Sequence, residues 1–201
     1  MTMEIIRIEG PETLEGLIHR GSKVKGAVIA HPHPLYGGNM YNNVVEAIFS
    51  GFSKLNYTVL RFNFRGVGKS TGSYSDGKGE VEDIISSVNF LKSLMEVEHN
   101  IVLAGYSFGA WVASLAAPKI GIDKLLLISY PFSFYPPDPL KLYKGFLYMI
   151  VGENDPIGSY EKTEEFYKEF KGEKKLLVLP TDHFFYGMED RIIKFIEDTF
   201  Q

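Results

Sequence analysis

The chain of 201 residues contains no cysteine, which excludes disulfides, thiolate nucleophiles and cysteine-based metal sites. Covalent chemistry must therefore use another side chain, and hydroxyl groups come first. An excess of positive charge is missing as well: 21 Lys and Arg stand against 25 Asp and Glu, a formal net charge of −4. With no basic field to draw in a phosphate backbone, nucleic acid is not an expected partner. Nor does any segment approach the ~18 apolar residues of a membrane span, and the opening "MTMEIIRIEG" lacks the basic start and small-residue cleavage site of a secretion signal. No membrane association is expected, and the expected location is the cytoplasm. Internal repeats, linkers and low-complexity tracts are also absent.

What remains is ordinary globular composition, with 45% hydrophobic and 23% charged residues, and a length that suits one domain over residues 1–201. Short β-branched or Leu-rich runs alternate with longer segments of helical period, which in sequence is the pattern of a parallel sheet with crossover helices. Eight strands are expected at "MEIIRIE", "LEGLIHR", "GAVIAH", "YTVLRFNF", "NIVLAGY", "KLLLIS", "FLYMIVG" and "KKLLVLP". The first two, close together and partly alternating, read as an antiparallel hairpin at the sheet edge; the other six are mostly continuous in apolar character, as in strands covered on both faces. Helices are expected at about Asn42–Leu55, Glu80–Val97, Phe108–Ala117, Ser159–Phe170 and Phe185–Phe200. Their alternation with the strands predicts a three-layer α/β/α sandwich around a mostly parallel, eight-stranded sheet. The one extended irregular segment is "PFSFYPPDPLKLYKG".

In open α/β sheets, reactive groups collect at the carboxyl ends of the strands. Three residues stand there in chain order: Ser107 after "NIVLAGY", Asp155 after "FLYMIVGEN" and His183 after "KKLLVLPTD". Ser107 sits in the pattern Gly-x-Ser-x-Gly, where Gly105 and Gly109 give room for a sharp strand-to-helix turn. Such a turn lifts the hydroxyl above the sheet and aims the Phe108 amide at the space beside it, which suits a developing oxyanion. A serine hydroxyl needs an imidazole to take its proton, and the imidazole needs a carboxylate to fix its tautomer. His183 and Asp155 fill those roles, with Glu153 and Asp182 as alternative acids. His31 and His33 lie two residues apart but have no obvious third ligand, so no metal is expected and they read as braces of their loop; His19 and His99 read as surface residues. "GVGKST" is not a phosphate-binding loop, because position 63 is Asn63 where that motif requires glycine. It reads as a tight loop in which Arg65 pairs with Asp83 or another carboxylate.

The blocks "HPHPLYGGNMYNN", "FNFRGVGKSTGSYSDGKGEVED", "GYSFG", "GENDP" and "TDHFF" together resemble the α/β-hydrolase superfamily, in particular the small lidless hydrolases related to dienelactone hydrolase. The likeness spans nearly the whole chain. Dienelactone hydrolase proper uses a cysteine nucleophile, so its substrate is not implied here. The resemblance implies a second oxyanion donor from "AHPHPLYGG", with the Leu35 amide first and the His33 amide second, since Pro32 and Pro34 carry no N–H. Where many superfamily members insert a cap, only "YPFSFYPPDPLKLYKG" intervenes, so an open site is expected. Tyr36, Tyr130, Phe132, Phe134 and Tyr135 are candidates for its aromatic wall. The implied function is hydrolysis of small acyl or aryl carboxylic esters through an acyl-enzyme, without cofactor or metal. A peptidase, a thioesterase or a non-catalytic binding protein on the same fold are the alternatives. Oligomeric state is left open.

Overall fold

The structure, a computed structural model, describes residues 3–96 and 100–201. All eight expected strands form: β1 (Met3–Ile8), β2 (Leu14–His19), β3 (Ser22–Ala30), β4 (Tyr57–Phe62), β5 (Ile101–Tyr106), β6 (Lys124–Ile128), β7 (Phe146–Gly152) and β8 (Lys174–Leu179). They make one eight-stranded sheet in the order β1-β2-β4-β3-β5-β6-β7-β8. The β1/β2 hairpin lies at one edge and pairs antiparallel with β4, while the pairings from β4 through β8 are all parallel.

Among the described residues six helices accompany the strands: α1 (Asn43–Lys54), α2 (Lys78–Ser93), α3 (Phe108–Ile120), α4 (Asp138–Lys141), α5 (Tyr160–Glu169) and α6 (Glu189–Thr199). Alternate residues of the central strands face opposite layers. Leu103 of β5 joins Leu125, Val88 and Ala113 against α2 and α3. Its neighbours Val102 and Ala104 join Leu126, Ile48 and Ile196 against α1 and α6. β5 is thus buried on both faces at the middle of the sheet, and the turn that leaves it inherits a rigid base.

The helix ends differ from the expected ones for local reasons. α6 starts at Glu189, not Phe185, because Phe185 (φ +58°) and Gly187 (φ +78°) hold a left-handed turn there. α3 runs through Pro118, which lies in its last turn, to Ile120. α2 ends at Ser93; the expected end at Val97 lies outside the described residues, as does His99. β8 is a partly exposed edge strand and not a doubly covered one. His19, expected at the surface, is buried at the end of β2. The Arg65 guanidinium donates to Asp83 Oδ1 at 2.8 Å, and its backbone N–H donates to Asp83 Oδ2 at 2.9 Å. That pair anchors the tight loop after β4. Between β6 and β7 there is only the irregular segment carrying the one-turn helix α4, so no helical lid covers the strand ends. Among the described residues, no helix is long and apolar enough to cross a membrane.

Candidate active site

β5 ends at Tyr106 and α3 begins at Phe108, which leaves Ser107 alone in the turn at φ +54°, ψ −120°. Residues other than glycine avoid such angles, so the surroundings must hold the turn in place. They do so through close backbone approach. A Cβ at Gly105 would lie 2.4 Å from the Gly109 carbonyl oxygen, and one at Gly109 would lie 2.5 Å from the carbonyl oxygens of both Ala30 and His31. The Ser107 amide continues the sheet ladder by donating to Ile128 O at 2.9 Å. Its hydroxyl stands at the N-terminus of α3, where amides of the first turn lack intrahelical acceptors.

The loops after β7 and β8 bring an acid and a base to the side of this hydroxyl. His183 Nε2 lies 2.9 Å from Ser107 Oγ. On the other side of the ring, His183 Nδ1 lies 2.9 Å from Asp155 Oδ1 and 3.0 Å from Oδ2. Ser107, Asp155 and His183 are all buried, the most exposed of them at 8%. Asp155 Oδ1 also accepts from the Ile157 and Gly158 amides, at 2.9 and 2.7 Å. Burial alone would raise the Asp155 pKa, but the His183 imidazole, the Ser129 hydroxyl and the Gly158 amide outweigh it and hold the carboxyl below its ordinary range. The alternative acids are elsewhere: Glu153 is exposed, and Asp182 accepts from the Phe184 amide at 2.9 Å.

Two further groups belong to this cluster and were not picked out in the sequence. Ser129, directly after β6, hydrogen-bonds Asp155 Oδ2 and lies 2.9 Å from His183 Nδ1. Tyr106, next to the turn serine, donates its hydroxyl proton to the His183 carbonyl at 2.6 Å, tying the histidine loop to β5. A polar residue at a strand end next to β5 was the available signal for Ser129; the strand expected there absorbed it as its last residue.

The loop after β3 forms a short 3-10 turn over Pro34–Tyr36. The Leu35 amide donates to His33 Nδ1 at 3.2 Å inside that turn, and the Leu35 side chain is exposed. This corrects the expectation that Leu35 supplies the second oxyanion donor, since its N–H caps the turn instead. The His33 N–H has no acceptor among the described residues. His31, beneath the loop, accepts from the Phe64 amide at Nε2 (3.0 Å), so its proton sits on Nδ1 and goes to Pro32 O (2.6 Å). Both its nitrogens are thereby occupied, as a brace requires.

Burial pushes the His31 pKa down to about 4, against the pull of the Pro32 carbonyl. The unfolded chain takes up a proton below about 6.5, and the folded chain refuses it until about 4. This part of the stability is complete above pH 6.5 and is lost as pH falls towards 4, by about 3 kcal/mol. Urea unfolding across that range should show the loss, and His31→Gln should flatten it by about one proton. Parallel profiles for the two proteins would contradict this assignment.

A cavity of two lobes opens beside Ser107. One, about 200 Å³, is lined by His33, Tyr36, Phe108, Phe134, Tyr135 and Ile157 among others. The other, about 460 Å³, runs past His183, Phe184 and Asn42. Tyr36 and Phe134 border both lobes and are 87% and 70% exposed. Tyr130 and Phe132 do not reach the cavity, which corrects their placement in its wall. Tyr130 is 1% exposed, packs at a tilt against Phe132 and donates to Pro136 O, while Phe132 packs on Phe166 of α5. The irregular segment folds back on its own core, and only its tip faces the serine. A larger cavity, about 500 Å³, lies far along the sheet between α4 and α5, walled by lysines and without any nucleophile and base in contact.

Comparison with known proteins agrees with this geometry. Residues 28–191 match the alpha/beta hydrolase family. An alpha-beta serine hydrolase homologue from Coxiella burnetii is 30% identical, superposes with a TM-score of 0.91, and is covered over 99% of its length by 100% of this chain. XC6422 from Xanthomonas campestris, a serine hydrolase without a lid, is 25% identical at a TM-score of 0.89, over 98% of this chain and 93% of that one. The uncharacterized protein RP471 of Rickettsia prowazekii is 33% identical over 98% of this chain and 88% of its own length. With its lidless strand ends and its serine turn between β5 and α3, the chain belongs to the alpha/beta hydrolase family.

Proposed function

We propose that this hydrolase cleaves small carboxylic esters through an acyl-enzyme on Ser107. The observation that carries the proposal is the continuous chain Ser107 Oγ, His183 Nε2, His183 Nδ1, Asp155, with each contact at 2.9 Å, at the floor of an open apolar cavity. Ser107 Oγ bonds to the carbonyl carbon as its proton passes to His183 Nε2. The charge on Nδ1–H is balanced by Asp155. The oxyanion is received by the amides of Phe108 and His33, whose residues line the same lobe as Ser107. His183 then returns the proton to the leaving alkoxide, and the C–O bond to the alcohol breaks. Water, deprotonated by His183, releases the acid and restores Ser107.

The proton returns from His183, so the leaving alcohol occupies the lobe that His183 lines. The acyl group lies in the smaller lobe, among Tyr36, Phe134 and Tyr135. About 200 Å³ suits a short or aromatic acyl group. No cofactor is needed for this chemistry, and a small molecule is the only partner it calls for.

Matched ester, thioester and amide substrates with one acyl group, assayed side by side, test the reading. Turnover of the ester above the other two, falling as the acyl chain lengthens, is the expected result. Preference for the thioester or the amide would move the assignment to a thioesterase or a peptidase. Turnover of none of them by a protein whose Ser107 does not react with a fluorophosphonate would make it a binding protein on a hydrolase fold.

A further inference from the structure

The geometry points to Ser129 as a positioning residue of the same site, a hydroxyl that holds Asp155 in the orientation and charge state that His183 requires. The inference rests on the proposed role of Ser107 and adds a fourth member to its proton chain.

Ser129 and Ser107 are equivalent in the sheet. Tyr106 and Ile128 are register partners on β5 and β6, so the two serines leave neighbouring strands at the same level. Both have left-handed backbones, φ +54° for Ser107 and φ +52° for Ser129. The Ser129 amide donates to Ile150 O at 2.7 Å and fixes that conformation. Glycine is the residue such a backbone favours. The side chain that stands there instead is fully buried, and among the described residues its hydroxyl hydrogen-bonds Asp155 and His183 alone.

The donors to the carboxylate show what the hydroxyl adds. Asp155 Oδ1 accepts from Ile157 N and Gly158 N and faces Nδ1 of His183. Oδ2 receives the Ser129 O–H and, beyond that, only a share of Nδ1–H. The Ser129 hydroxyl must donate here, because Oδ2 has no proton to give, and a lone pair of its oxygen is then directed at Nδ1–H. Gly158 packs directly against this hydroxyl and the carboxylate it holds. A Cβ on Gly158 would lie 2.6 Å from Ser129 Oγ and 2.7 Å from Asp155 Oδ2. Without the hydroxyl, one carboxylate oxygen in a dry site loses its only donor apart from the imidazole. The Asp155–His183 pair then holds a proton more tightly, and Ser107 loses its base at a higher pH.

The test measures the rate at which a fluorophosphonate labels the full chain, from about pH 5 to about pH 9, in wild type, Ser129→Ala and Ser129→Gly. In that reaction Ser107 Oγ displaces fluoride at phosphorus and its proton passes to His183 Nε2. Both variants should label roughly 10- to 100-fold more slowly on the plateau, with the acid limb of the profile moved to higher pH. Ser129→Gly, relaxed at φ +52°, should unfold at no lower urea concentration than Ser129→Ala, so a shared loss of labelling cannot come from the backbone. A folded variant whose acid limb coincides with that of wild type, whatever its plateau, would overturn the assignment. If wild type itself fails to label, the hydrolase reading fails first and this inference falls with it.

Discussion

Ser107→Ala lowers kcat/KM for any ester the wild-type protein turns over by about 10⁴-fold or more, and changes unfolding stability by less than about 1 kcal/mol. The size of the effect follows from the absence of a substitute. The chain has no cysteine. Of the other hydroxyls near the base, Ser129 faces Nδ1 and cannot pass its proton to Nε2, and that of Tyr106 is bound to the His183 carbonyl. The tyrosines at the cavity mouth, Tyr36 and Tyr135, have no contact with His183. What survives in the variant is substrate binding and the oxyanion amides acting on water, which explains a residual rate above background. Stability is nearly preserved because the strained turn is held by backbone contacts at Gly105 and Gly109, which the substitution leaves alone. A fall of less than about 100-fold would mean that another group attacks the carbonyl.

Asp155→Asn lowers kcat by about 10³- to 10⁴-fold with the fold intact. Ile157 N and Gly158 N both donate to Oδ1, so the asparagine must place its carbonyl oxygen there and its NH₂ at the Oδ2 position. That amide group meets Nδ1 of His183 as a donor. Nδ1–H keeps a single neutral acceptor, the carbonyl oxygen at the Oδ1 position, in competition with the NH₂ beside it, and the imidazolium that forms when Ser107 loses its proton has no negative charge to balance it. Glu153→Gln and Asp182→Asn, assayed in parallel, should remain within about threefold of wild type, because neither carboxylate contacts the imidazole. A large loss in either of those variants, with Asp155→Asn close to wild type, would reassign the acid.

Much of this molecule is legible in its sequence because the physics there is local. Eight strands follow from short apolar runs between turn residues, and the glycines flanking Ser107 reveal a turn that only close backbone approach explains. The three proposed reacting groups follow from asking what stands beyond each strand. What escapes the sequence depends on contacts between distant segments. Tyr130 and Phe132 have the composition of a pocket wall, and only the path of residues 129–145 shows that both turn inward, Phe132 onto Phe166 of α5. Leu35 is the natural oxyanion donor by alignment, yet the His33 ring claims its N–H within the turn. A serine closing an apolar strand gives no sign that its hydroxyl meets Asp155, because that contact exists only once β6 and β7 are paired. Likewise Tyr106 belongs to the strand pattern of β5, and its bond to the His183 carbonyl joins residues far apart in the sequence.

The central claim is that Ser107 is activated by His183, and it is tested most directly by intact-mass detection of a fluorophosphonate adduct in wild type, Ser107→Ala and His183→Ala. A single adduct should form rapidly on the wild-type chain and be absent from both variants. A folded wild-type protein that stays unlabelled, or a Ser107→Ala variant that labels as fast as wild type, would contradict it.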